Sequence, residues 1–85
     1  MKPSVGRIVH TIVDPALNNG ADVAPAIITR VWSDTTVNLR VMYDGASVDW
    51  ITSASLHADE DAARERVALG ASPQKGHNAF WPPRV

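Results

Sequence analysis

Between residues 37 and 43 the chain alternates without a break. Val37, Leu39, Val41 and Tyr43 are apolar or aromatic, and Asn38, Arg40 and Met42 lie between them. Successive side chains of a strand point to opposite faces, so a period of two predicts a β-strand with its odd positions on a core and its even positions facing out. The run 24–32 (APAIITRVW) predicts the strand before it. Pro25 has no N–H for a ladder and therefore marks that strand's start or an edge. The four residues SDTT join the two runs as a turn, with Asp34 able to accept from backbone amides ahead of it. Residues 6–13 (GRIVHTIV) are rich in β-branched side chains and alternate Ile8, His10 and Ile12 against Arg7, Val9, Thr11 and Val13. Asp44-Gly45 then turns the chain into 48–53 (VDWITS), with Val48, Trp50 and Thr52 on one side. Four short strands at turn-like spacing predict a mainly β protein, a small SH3-like antiparallel barrel.

Three segments break the alternation. DPALNNGADV, after the first strand, reads as a loop of about ten residues. In ADEDAARERVALG the acids Asp59, Glu60 and Asp61 come first, Arg64 and Arg66 follow, and Gly70 stops the run. That order suits a helix dipole, and Glu60 and Arg64 are spaced i, i+4, so one short helix is expected over about 58–69. Its apolar side, Ala63 and Val67 with Leu69 nearby, is thin and predicts a helix lying on the barrel rather than inside it. ASPQKGHN reads as loop. The tail from about 78 to 85 carries Phe80 and Trp81 beside Pro82 and Pro83, which hold the backbone extended. Two adjacent aromatics are expected to dock on the barrel or on a second subunit.

Composition narrows the function classes. The 85 residues form one domain, 1–85, near the lower end of what folds unaided, so packing or a partner subunit must supply the stability. A formal charge of −1 disfavours general nucleic-acid affinity, which needs a basic excess. Without cysteine there is neither a disulfide nor a thiolate metal site. No apolar run approaches the roughly 20 residues of a membrane span, and MKPSVGRIVH lacks the apolar stretch of a signal peptide. A cytoplasmic chain without membrane contact is the expectation.

Catalytic and metal chemistry find little support. His10, His57 and His77 share no ligand spacing. Ser47, Ser53, Ser55 and Ser72 occupy turns or strand ends without a nucleophile elbow. Most acids sit in turns or at the helix start; Asp49, between Val48 and Trp50, is the exception, and an exposed carboxylate opposite an arginine is its simplest reading. Neither an enzyme nor a cofactor is expected. Arg7, Arg30 and Arg40 fall on three successive strands, with Trp32 close to Arg30. On one shared face they would make a positive strip with an aromatic beside it, suited to phosphate pairing and base stacking. Residue by residue the alternative is ordinary: strand arginines pair with neighbouring acids, and a tryptophan at a strand end covers a barrel mouth.

The segments KPSVGRIVH, AIITRVW and VNLRVMYDG, the tryptophan-bearing strand and the aromatic-Trp-Pro ending resemble a widespread family of small phage and prophage proteins. Its pattern runs KPxxGRIVHY, AAIVTxVW, VNLxVFxDG and a GTWHWP-like tail. The likeness covers about two-thirds of the chain. It departs at Thr11, in the tail, and between Leu56 and Asn78, where the helix looks like an insertion. The resemblance implies phage origin and a small β fold, with no settled activity. The expected function is a non-enzymatic accessory binding protein, such as a host-defence inhibitor that sequesters a nucleotide-type ligand or binds a host protein. Arg7, Arg30, Trp32, Asn38 and Arg40 form the expected site, with Trp81 added by the tail, and self-association is expected. The alternatives are a structural or assembly protein of a virion or homo-oligomer and, third, a weak nucleic-acid-binding module.

Overall fold

The computed structural model describes residues 2–70 and 75–83. The chain forms β1 (Ile8–Val13), a 3-10 turn (Pro15–Leu17), β2 (Val23–Ser33), β3 (Thr36–Met42), β4 (Val48–His57), α1 (Glu60–Ala68) and β5 (Lys75–Phe80). The five strands close into a barrel in chain order, with β5 returning to β1. This is the mainly β, SH3-like barrel with one short helix that the alternation predicts. The odd positions of β3 behave as expected: Val37, Leu39 and Val41 are fully buried, and Tyr43 just beyond them is nearly so. With Val9, Val13, Ile28, Ile51 and Leu56 they fill the interior.

The fifth strand corrects the sequence reading. Residues 75–78 were expected in a loop and instead begin β5, while Ser72 and the tail beyond Pro83 lie outside the described residues. A closed ring of five strands cannot alternate direction at every seam, so one neighbouring pair has to run parallel. That pair is β4–β5, with Ser55 opposite Asn78 and His57 opposite Phe80; the other four seams are antiparallel. A parallel pair needs a crossover of a dozen or more residues, commonly helical. The segment that resembles an insertion thus includes the helical part of the crossover that closes the barrel.

Helix α1 starts where Asp59 Oδ1 accepts the Ala62 N–H at 2.9 Å, with Glu60 and Asp61 in the first turn and Arg66 in the last. It lies outside the barrel as predicted. Ala63 packs with Ile12 and Phe80, and Val23 and Val67 border this second small core. Phe80, 1% exposed, therefore faces the helix, while Ala79 beside it faces the barrel interior. Gly76 is needed where the β5 backbone comes close to the core side chains. Its φ is +98°, and a Cβ there would stand 2.8 Å from Val41 Cγ2. Such a close approach is a usual reason for glycine inside a strand.

The long loop after β1 is organised by one buried residue. Asn18 donates from Nδ2 to the carbonyls of Ala21 and Val23, and its Oδ1 accepts the Asp44 N–H at 2.6 Å. It ties this loop to the β3–β4 turn.

Candidate binding surface

Cross-strand pairing defines an outer face on β1–β4. Ile8 stands opposite Ile27, Ile27 opposite Arg40, and Arg40 opposite Trp50. Directly opposed residues project to the same side of a sheet, so these four make one row across the barrel wall. The next row pairs Met42 with Val48. Trp50 is 56% exposed, and Ile8 and Val48 are each about half exposed. Arg40 is exposed at the centre, and its side chain makes no hydrogen bond or ion pair among the described residues.

Beside this row, Arg30 and Trp32 form a stacked pair, the guanidinium carbon 4.0 Å from the indole centroid. Guanidinium over indole is the favoured cation–π geometry. Arg30 stands opposite Asn38 in the ladder, so Arg30 and Arg40 share the outer face. Neither has an ion-pair partner among the described residues, unlike the ordinary expectation for strand arginines. Trp32 covers no barrel mouth; it is 52% exposed on this same face.

Asn38 departs from the reading that even positions face water. It is only 6% exposed, beneath Trp32. Its Oδ1 accepts from Trp32 Nε1 at 2.9 Å, from the Ser53 N–H at 2.9 Å and from Thr52 Oγ1 at 3.2 Å. The cause is a bulge: the β3–β4 register shifts between Val37 and Leu39, and Ser53 takes a φ of +57°. A bulge leaves a residue out of the ladder, and here the asparagine carbonyl accepts the displaced N–H. Asn38 is accordingly a support that fixes Trp32 rather than a contact residue. Asparagine is depleted in strands, so its place between Val37 and Leu39 is the one sequence signal that could point to such a role.

Arg7 and Trp81 belong elsewhere. Arg7 alternates with Ile8 and leaves the outer row; its guanidinium lies 5.5 Å from the Trp81 centroid. Trp81 packs against the main core, and its backbone N–H donates to the His57 carbonyl. The three arginines therefore do not form one strip. Two lie on the outer face and one at the barrel end, where a groove of about 680 Å³ opens. The β2–β3 turn lines it with Asp34, the end of β4 with Leu56 and His57, the start of α1 with Asp59, Glu60 and Asp61, and the tail with Trp81 and Pro82. GRIVH and the aromatic tail meet along the β1–β5 seam, where His10 packs edge-on against Phe80 at 5.7 Å.

The remaining polar groups are engaged structurally. Asp49 is explained by Tyr43, whose hydroxyl donates to Asp49 Oδ2 at 3.0 Å, and no arginine stands opposite it. Burial first, and then this hydrogen bond and the Asp49 charge, push the Tyr43 phenol up to about 12. Arg64 bridges Asp22 at 2.8 Å and Glu60 at 2.6 Å. Its hydrogen bonds hold the Asp22 carboxyl below the ordinary value of 3.8 and raise its own pKa. His57 Nε2 is 3.0 Å from Asn78 Oδ1. Among the described residues no group of three or more His, Asp or Glu could hold a metal ion, and no helix is long and apolar enough to cross a membrane. No protein-family model, no curated protein and no solved structure matches the chain.

Proposed function

We propose that the chain is a non-catalytic docking module whose outer β2–β4 face, anchored by Arg30, Trp32, Arg40 and Trp50, seats a protein partner. The observation that carries this reading is one sheet face with two half-exposed tryptophans and two arginines that lack ion-pair partners among the described residues. Tryptophan and arginine are the side chains most enriched at the energetic centres of protein interfaces. A small ligand such as a nucleotide calls for a concave site, and the 680 Å³ groove is lined by none of these four residues. The geometry therefore favours a macromolecular contact over the sequestered nucleotide. In the setting the resemblance implies, this is a phage accessory factor acting in the host cytoplasm.

A photo-crosslinking residue placed at Val48, inside the face, tests the reading against the same residue at Glu65 on the exposed side of α1. In cells, discrete protein adducts are expected at position 48 and not at 65, and Arg40→Ala should weaken them severalfold. Equal labelling at both positions, or saturable nucleotide binding by calorimetry that Arg40→Ala removes, would overturn it.

A further inference from the structure

The groove at the barrel end carries the opposite charge to the outer face. Asp34, Asp59, Glu60 and Asp61 line it, and no lysine or arginine does. Asp59 caps α1 and Glu60 pairs with Arg64, but the side chains of Asp34 and Asp61 have no hydrogen-bond or ion-pair partner among the described residues. Between the acids lies apolar surface from Leu56, Trp81 and Pro82. This is the complement of an arginine beside an indole: carboxylates for the guanidinium, and flat apolar surface for the ring.

Face and groove also adjoin. Trp32 ends the face and Asp34, two residues on in the β2–β3 turn, begins the groove. Two complementary patches that share an edge can both be satisfied by a two-fold axis through that edge, because the face of each copy then lies on the groove of the other. We propose that the occupant of the groove is a second copy of this chain, with Arg40 and Trp50 of each protomer seated against Asp34, Asp61 and Trp81 of its partner. The inference rests on the docking reading above and names its partner. The contact closes at two subunits and has polar and apolar parts, so raising salt weakens the dimer without abolishing it.

Charge reversal tests this cleanly. Arg30→Glu/Arg40→Glu makes both patches acidic, and Asp34→Arg/Asp61→Arg makes both basic, so neither variant can pair with itself. Mixed together they are complementary at both contacts. By light scattering on a sizing column at low salt, the wild type is expected at twice 9.2 kDa, each variant at the single mass, and the mixture at the doubled mass again. Trp50→Ala is expected to weaken the wild-type dimer by about tenfold or more. Circular dichroism confirms folding, and the single changes Arg40→Glu and Asp61→Arg replace any double variant that does not fold. A wild-type chain of single mass at every concentration overturns the second copy and leaves the cross-linking result at Val48 to judge the docking reading. A wild-type dimer that Trp50→Ala weakens, with no recovery in the mixture, overturns the groove as its seat and supports the face. A dimer indifferent to all these changes overturns both.

Discussion

The two arginine–tryptophan pairs put the same chemistry into opposite settings. Arg30 lies over Trp32 on an open wall of the barrel, with the indole held from beneath by Asn38. Arg7 lies over Trp81 at the barrel end, where the indole rests on the main core next to the β1–β5 seam. In the first setting a rigid aromatic is presented to solvent; in the second, an aromatic is partly withdrawn from it and the arginine helps to cover it. A surface that costs little stability to remove, yet is held in one orientation, is suited to contact. A surface continuous with the core is suited to closing the fold. If this division is correct, substitutions near the seam change stability, and substitutions on the wall change docking.

The largest effect belongs to the seam. Phe80 is almost wholly buried between α1, Ile12 and His10. Phe80→Ala removes a large ring from a small core and is expected to cost about 3–5 kcal/mol. A domain of this size has roughly 4–13 kcal/mol in total at typical stability per residue. Urea unfolding should therefore show a greatly lowered midpoint or a chain without a cooperative transition. By contrast, Trp50→Ala on the wall should stay within about 0.5 kcal/mol of the parent when both are compared in dilute, monomeric protein. Similar losses at both positions would erase the distinction.

Next comes the support under the wall. Asn38→Ala leaves the Trp32 indole N–H and the Ser53 backbone N–H without their shared acceptor. Both bonds are part-buried, so losing the shared acceptor costs about 1 kcal/mol, the lower end of the penalty for an unpaired donor. The variant should be destabilised by that amount, and with Trp50 and Trp81 replaced by Phe, time-resolved tryptophan anisotropy should report a freer Trp32 ring. An unchanged anisotropy, even with lost stability, would mean that the stack with Arg30 alone orients Trp32.

These two regions were not equally legible in the sequence. The inner side of the wall was readable because one rule, a period of two, governs Val37, Leu39, Val41 and Tyr43, and burial enforces it at each position. The exposed Arg40 follows from the same rule, whereas Arg30 and Trp32 share the even parity of the buried Ala24, Ala26 and Ile28 and reach the surface only because the β2–β3 register shifts between Ile28 and Arg30. Asn38 does not follow from it either, because a bulge on the neighbouring strand changes the local register, and no feature of VNLRV encodes what its neighbour does. Asp49 was recognised as unusual, but its partner Tyr43 is fixed by the fold around the Asp44-Gly45 turn. Strand β5 was missed for a related reason. KGHN has a glycine and an asparagine and little intrinsic strand preference, and it is a strand because β1 and β4 pair with it. Strand order alone groups Arg7 with the other arginines, but Arg7 just precedes β1, one residue out of step with Ile8, and lies over Trp81 instead.

Tyr43 gives a pH test of the same inner side. It is the only tyrosine in the chain, so phenolate absorbance reports it alone. Its pKa is 10.0 unperturbed and is pushed up to about 12 in the fold. The stability linked to the neutral phenol is thus fully present below pH 10 and lost as pH rises towards 12. Two pK units correspond to on the order of 2–3 kcal/mol. The alkaline titration should be displaced upward and coincide with loss of structure. Asp49→Asn should lower the midpoint by removing the carboxylate, while leaving it above 10 because burial, the larger cause, remains. A midpoint at 10 in the folded parent would show that the phenol is not enclosed.

The smallest effect separates two exposed arginines. Arg64 bridges Asp22 and Glu60 and so ties α1 to the start of β2, whereas Arg40 has no such partner among the described residues. Because the Asp22 carboxyl is held below 3.8, its contribution is present above that pH and is lost as pH falls through the lower folded value. Both side chains are at least 41% exposed, so solvent screening limits the pair to less than about 1 kcal/mol. Arg64→Ala should therefore lower stability slightly at neutral pH, and that difference should shrink below pH 3.8 and in high salt. Arg40→Ala should show no comparable dependence, because among the described residues no carboxylate pairs with it. A matching acid-sensitive loss for Arg40→Ala in dilute, monomeric protein would reveal an intramolecular partner. The arginine at the centre of the wall would then belong to the fold rather than to the docking surface.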